Sequence, residues 1–126
     1  MFLKPFDVLI VRAIKNQRWK LIAPLDYEAK KGFKVRVRQG FVTDLASIPK
    51  ALRVFYTVNG EHRKAAVLHD YCYYKLGSVA PYIKLNRKEV DELFLEAMKG
   101  LGVGWFKRYS MYFAVRVGGW ASWGDK

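Results

Sequence analysis

Cysteine is nearly absent from this sequence. Cys72 is the only one among 126 residues, so no disulfide can close within the chain. A lone thiol also excludes a metal site built from several cysteines, such as a structural zinc centre. Together these absences favour a reducing compartment.

Long apolar runs are missing as well. No stretch of eighteen apolar residues occurs, which argues against a transmembrane helix. The amino terminus, MFLKPFDVLIVRAIK, is broken by Lys4, Pro5, Asp7 and Arg12. It lacks the continuous apolar core and the small-residue cleavage site of a signal peptide. We therefore expect no signal peptide; if the protein leaves its cell, it uses another route, such as lysis or carriage in a particle.

Acidic residues are scarce relative to basic ones. The chain has 11 Asp and Glu against 23 Lys and Arg, a formal net charge of +12. Such an excess favours an anionic partner: nucleic acid, an anionic membrane face or an anionic wall polymer. The alternative is that the charge serves solubility alone. Because the basic residues are spread along the chain and form no tail, they predict a positive face on a folded domain.

Apolar residues are plentiful. They make up 52% of the chain, and aromatic residues make up 16%, which argues against disorder. A chain of this length suits one domain, residues 1–126, that buries roughly two-thirds of the surface exposed in its unfolded form.

The first third of the sequence has the pattern of strands, with predicted runs Asp7–Ile14, Trp19–Leu25, Phe33–Arg38 and Phe41–Thr43. The third run alternates: Phe33, Val35 and Val37 share one face, and Lys34, Arg36 and Arg38 share the other. A period of two is typical of a half-buried strand. We expect the three basic side chains to project together and to bind a substrate or partner.

The remainder has helical spacing, with predicted helices at Gly60–Tyr74, Asn86–Lys99 and Trp105–Val117 and a shorter one from Ser47 to about Val54. Asn86 with Glu89 forms a capping signature, and Gly100 is the expected stop. Strands followed by helices predict an α+β domain, in which an antiparallel sheet packs against three to four helices.

His69 and Asp91 are the first candidates for chemistry. Each lies at the packing side of its predicted helix, where a charged group requires a partner. A carboxylate bonded to one imidazole nitrogen would fix the tautomer and make the other a general base. Arg87, four residues before Asp91, can flank the pair. The alternative is a buried ion pair that sets helix register without catalysis.

A second group of polar residues could join this pair. Asp44 follows a strand, Ser47 lies three residues later, and Asp70 is next to His69. Carboxylates such as Asp44 and Asp70 are ligands that a divalent cation prefers, although Asp44 could equally cap a turn. No HExxH or CxxC motif is present.

Four ordered motifs, GFVTDLASIP, HDYCYY, Arg87 with Asp91, and MYFAVRVGG, resemble a family of tailed-bacteriophage and prophage proteins known only as a domain of unknown function. The likeness spans about residues 33 to 119. It implies a phage or prophage origin, and so a host cytoplasm or virion location, but no activity. By this resemblance, the recurring polar residues of the family correspond to Thr43, Asp44, Ser47, His69, Asp70, Arg87, Asp91 and Arg116.

The segment His69-Asp70-Tyr71-Cys72-Tyr73, with an aspartate on the next helix, also resembles the catalytic helix pair of secreted calcium-dependent phospholipases. That likeness implies His69 as base, Asp70 as calcium ligand and Asp91 as orienting residue. The sequence departs from those enzymes, because no glycine-rich calcium loop precedes the helix and the disulfide framework is absent.

Three functional classes follow. The first is a small hydrolase of cell-envelope material, in which His69 is the base, Asp91 orients it, and Asp44 and Asp70 bind a cation or support the charge. The second is a virion component (tail, head or neck) or an accessory protein. It would use His69, Asp91 and Arg87 as a structural cluster and would contact other phage proteins. The third is a nucleic-acid contact protein that uses Lys34, Arg36 and Arg38 with aromatic side chains.

Overall fold

The computed structural model describes residues 2, 11–14, 18–43 and 63–123. In these residues the strands are β1 Val11–Ile14, β2 Arg18–Leu21, β3 Leu25–Glu28, β4 Lys34–Val37, β5 Val42–Thr43, β6 Ser78–Ala80 and β7 Ile83–Lys84. The helices are α1 Arg63–Tyr74, α2 Arg87–Gly100 and α3 Trp105–Gly118, which continues into a 3-10 helix at Gly119–Ser122. The predicted short helix from Ser47 lies outside the described residues.

The strands pair in small antiparallel sheets. One sheet has the order β1-β2-β5, β3 pairs with β4, and β6 pairs with β7. The α+β prediction is confirmed. The single strand predicted over Trp19–Leu25 is wrong, because the chain leaves β2 after Leu21 and starts β3 at Leu25. Pro24, which has no amide hydrogen to donate, lies in that break.

Strand β4 has the predicted two-sided character. Val35 and Val37 are buried in the core, whereas Lys34, Arg36 and Arg38 are exposed on the opposite side. The hydrophobic pattern therefore fixes the register of this strand, since a shift by one residue would bury the charges.

Helix α1 lies at the centre of the fold. Nine consecutive residues, Ala65–Tyr73, are buried, so α1 is surrounded on every side. It packs on α2 and also contacts β3, β4 and β5. Side chains at adjacent positions of α1 consequently face different neighbours.

Helix α2 is held by its amino-terminal cap. The Asn86 side chain accepts a bond from the Glu89 amide at 2.8 Å, and the Glu89 carboxylate accepts one from the Asn86 amide at 3.0 Å. The predicted capping box is confirmed. The predicted stop is wrong: Gly100 is still helical, and the glycine with positive φ is Gly102. No helix in the described ranges is long and apolar enough to span a membrane.

The connection from α1 to α2 requires a glycine. Gly77 has a φ of +82°, and a Cβ there would lie 1.8 Å from the carbonyl oxygen of Leu85. Only a residue without a side chain permits this approach. The contact closes the β6–β7 hairpin and turns the chain back, so that α2 runs beside α1.

Candidate functional site

Four polar residues are buried in the described part of the chain: Thr43, His69, Asp70 and Asp91. They form two separate groups. His69 faces α2, whereas Asp70, one position later and so about 100° around the helix, faces β5. The adjacent pair His69-Asp70 therefore serves two different contacts.

The first group joins α1 to α2 through Asp91. The Nε2 atom of His69 lies 2.7 Å from Oδ1 of Asp91, which confirms the predicted contact. The Tyr73 hydroxyl donates to the same oxygen at 2.6 Å. Tyr73 follows His69 by four residues, one helical turn, so both side chains reach the same carboxylate.

Helix α3 contributes to the same carboxylate. Arg116 donates from Nη1 to Oδ2 of Asp91 at 2.8 Å, and Arg87 approaches that oxygen at 3.5 Å. Arg87 also donates to the backbone carbonyls of Val115 and Arg116, each at 3.0 Å. These carbonyls belong to the last turn of α3, where helical acceptors lack partners and a cation is favourable. Asp91 and Arg87 thus tie the three helices together.

The surroundings keep Asp91 ionised. Burial alone would raise the pKa of this carboxyl, but bonds and charge from His69, Tyr73 and Arg116 outweigh it and hold that pKa below its ordinary value of 3.8. Burial and the bond to Asp91 raise the pKa of Tyr73 well above its usual range. The phenol therefore stays protonated and remains a donor.

This arrangement suits an imidazole that acts as a base. An anionic carboxylate at Nε2 favours the tautomer with hydrogen on Nε2, and it stabilises the positive charge of the ring when the imidazole takes up a proton. The ring of His69 also stacks near Tyr73 and Phe94, with centroid distances of 4.2 and 4.7 Å. These contacts fix its orientation. His69 is only 1% exposed, so its ring is closed off from bulk solvent in this structure.

The second group is smaller. The Thr43 hydroxyl donates to Oδ2 of Asp70, which connects β5 to α1. Asp44 and Ser47, the other residues predicted near this position, lie outside the described residues. Among the residues that the structure describes, no group of three or more His, Cys, Asp or Glu side chains could hold a metal ion. A cation bound by Asp44 and Asp70 stays a prediction.

A basic cleft lies on another side of α1. It has a volume of about 400 Å³, and its lining includes Lys34, Arg36, Arg38, Tyr71, Lys75 and Ser78. Arg36 is paired with Asp26 across the β3–β4 hairpin through bonds of 2.7 and 3.0 Å. No ion pair within the described ranges occupies Lys34, Arg38 or Lys75. The predicted basic face is therefore one wall of a cleft.

Tyr73 is the member of the Asp91 cluster (His69, Tyr73, Arg87, Asp91 and Arg116) that sequence reasoning missed. Its position four residues after His69 is the signal that could have identified it. Arg116, one of the recurring polar residues that the family resemblance carries over, directs its guanidinium to the buried Asp91; its predicted role in binding a substrate or partner stays a prediction. Arg87 likewise points toward α3, where it donates to the backbone carbonyls of Val115 and Arg116.

Gly119 offers a test of how tightly the cluster is packed. A Cβ at this position would lie 2.6 Å from the Tyr73 hydroxyl and 3.2 Å from two carbons of its ring. We expect Gly119→Ala to push the phenol away from Asp91 and to lower the free energy of unfolding by about 1–3 kcal/mol, measured by urea denaturation. Gly100→Ala is the matched control, because it is helical and a Cβ there meets nothing within 4 Å. Equal stability of the two variants would contradict this packing.

Comparison with curated proteins and with solved structures gave no match. A family model does match, over residues 19–115, which is more than half of the chain. The matched segment contains Thr43, His69, Asp70, Arg87 and Asp91, and it ends one residue before Arg116. The chain therefore belongs to the family described as proteins of unknown function, DUF1353.

Proposed function

We propose that this protein is a small hydrolase of phage or prophage origin that acts on anionic cell-envelope material. The observation that carries the proposal is the 2.7 Å contact between Nε2 of His69 and an Asp91 carboxylate that its other partners keep ionised. The resemblance of the motifs to phage proteins supports the origin and a host-cytoplasm or virion location.

The proposed reaction uses His69 as general base. The imidazole takes a proton from water, and the resulting hydroxide attacks an acyl carbon of the substrate. The imidazolium then returns that proton to the leaving oxygen, so the products are an acid and an alcohol. Asp91 acts as a positioning residue, because it holds the ring and stabilises its positive charge while the proton resides there. The geometry of α1 and α2 is in keeping with the likeness to phospholipases, in which a distant aspartate orients the histidine.

The basic cleft supports an anionic substrate. Lys34, Arg38 and Lys75 line it together with Tyr71 of α1, whereas the base His69 faces α2 on another side of the same helix. Cations in a concave surface attract anionic groups, and the attraction weakens as salt rises.

The experiment is a hydrolysis assay with the wild-type chain on phosphatidylglycerol vesicles and on purified wall polymer, with calcium or with a chelator. We expect acid release from an anionic substrate, and we expect the rate at low substrate to fall several-fold in the Lys34→Gln, Arg38→Gln double variant. The control is Lys30→Gln with Lys31→Gln, which removes the same charge from exposed positions outside the cleft. Absence of product from every envelope fraction would overturn the proposal; equal rates in both double variants would exclude the cleft.

A second candidate function has an observation of its own. His69, Tyr73 and Asp91 are fully buried, and both Asp91 oxygens accept bonds from groups that connect the three helices. The same cluster would serve a non-catalytic virion or accessory component as an internal lock. In that case replacement of His69 would alter stability alone.

A further inference from the structure

Helix α3 has an inner and an outer face. Met111 and Val115 on the inner face are fully buried against the rest of the protein, and Arg116 reaches from this helix to Asp91. The outer face carries Trp105, Phe106, Tyr109, Phe113 and Val117.

These five outer residues form one continuous surface. Their spacing of one, three, four and four places them on a single side of the helix, within an arc of about 120° at 100° per residue. Four of them are 61–79% exposed and Tyr109 is 41% exposed; Trp120 in the following 3-10 helix is 71% exposed. A contiguous aromatic surface of this kind marks an interaction site on a folded protein.

We propose that this outer face of α3 docks onto an anionic lipid surface, with its rings at the boundary between headgroups and acyl chains. The residue types suit that depth, because Trp and Tyr combine an apolar ring with a polar group that stays in contact with the headgroups.

The charge of the chain favours lipid over a second copy of the protein. The net charge is +12, so two copies repel each other, whereas anionic headgroups attract each copy. A basic side chain also borders the outer face. The Arg108 guanidinium lies 5.5 Å from the ring centroid of Tyr109 and donates to the backbone carbonyl of Val103 at 3.0 Å. Its positive charge is therefore held next to the rings that we place in the headgroup layer.

Docking by α3 is independent of hydrolysis. It uses exposed side chains of α3, whereas the proposed base His69 and its partner Asp91 are buried between α1 and α2. A His69→Gln variant should therefore bind vesicles like the wild type, so failure of the hydrolase proposal and failure of this one are distinguishable.

The test is co-sedimentation of the full chain with vesicles of phosphatidylcholine alone or mixed equally with phosphatidylglycerol. We expect strong binding only to the anionic vesicles. The Phe106→Ser, Phe113→Ser double variant should bind on the order of tenfold more weakly. The matched control, Ile22→Ser with Tyr82→Ser, removes two exposed apolar side chains from other elements and should bind normally.

A second measurement needs no variant. Brominated acyl chains should quench the tryptophan fluorescence of the bound wild-type chain, because Trp105 and Trp120 enter the interface. Three results would overturn the proposal: no binding to anionic vesicles, unchanged binding of the Phe106→Ser, Phe113→Ser variant, or a wild-type dimer in sedimentation equilibrium that this variant abolishes without any vesicle binding. The last result would assign the face to self-association.

Discussion

Replacement of Asp91 by Asn should lower the free energy of unfolding by about 3–5 kcal/mol, because it removes the charge of a buried ion pair and leaves its partners in place. Arg116 would keep its guanidinium beside a neutral amide, and His69 and Tyr73 would share a weaker acceptor. Asn has nearly the shape of Asp, so little of the loss comes from packing. Urea denaturation of both proteins at pH 7 measures the difference.

The control for this change is Asp26→Asn. Asp26 also pairs with an arginine, but that partner, Arg36, has a side chain that is 67% exposed. An ion pair open to water contributes little, since the solvent screens it. If Asp26→Asn lowered the free energy of unfolding as much as Asp91→Asn, burial would not be the reason that the ion pairs of Asp91 stabilise the fold.

The acid limit of stability should follow from the same residue. The folded state holds the pKa of Asp91 below 3.8. The contribution of the ionised carboxylate to the free energy of unfolding is therefore fully present above the pKa of the unfolded state. It is lost as the pH falls through the lower pKa of the folded state. The wild type should therefore lose stability below about pH 4 more steeply than Asp91→Asn.

The elements that follow from local patterns were predictable. Strand β4 was visible from its alternation, because every second residue enters the core. Helix α2 was visible from Asn86 and Glu89, which form a cap that depends only on neighbouring residues. The His69–Asp91 contact was predictable because a charged group on a packing face needs a partner.

Elements that depend on distant packing were not predictable. The β6–β7 hairpin has strands of only three and two residues, too short for a visible period, and it depends on the approach of Gly77 to Leu85. Glycine is a common residue just after a helix, but Gly100 is the last residue of α2 and the positive φ falls two residues later, at Gly102. The inward direction of Arg116 depends on how α3 crosses α2, which no local pattern encodes. Asp44 and Ser47 stay predictions.

Replacement of His69 by Gln should reduce hydrolysis of envelope substrate by a factor on the order of 10²–10⁴, which is the usual contribution of a general base. Gln retains an amide that can donate to Asp91 in place of Nε2, but it has no group that takes a proton from water. The matched control is Tyr73→Phe, which removes another donor to the same oxygen and leaves the imidazole in place. Tyr73→Phe should lose stability yet keep most of the rate.

The most direct test of His69 as the catalytic base is the turnover rate and the free energy of unfolding of His69→Gln, measured on the same preparation beside Tyr73→Phe. We expect the rate to collapse in His69→Gln alone, while its stability falls no further than that of Tyr73→Phe. A His69→Gln protein that retains the wild-type rate but loses about 1–3 kcal/mol of stability would contradict this role, because such a loss is the signature of a buried hydrogen-bond partner without a catalytic role.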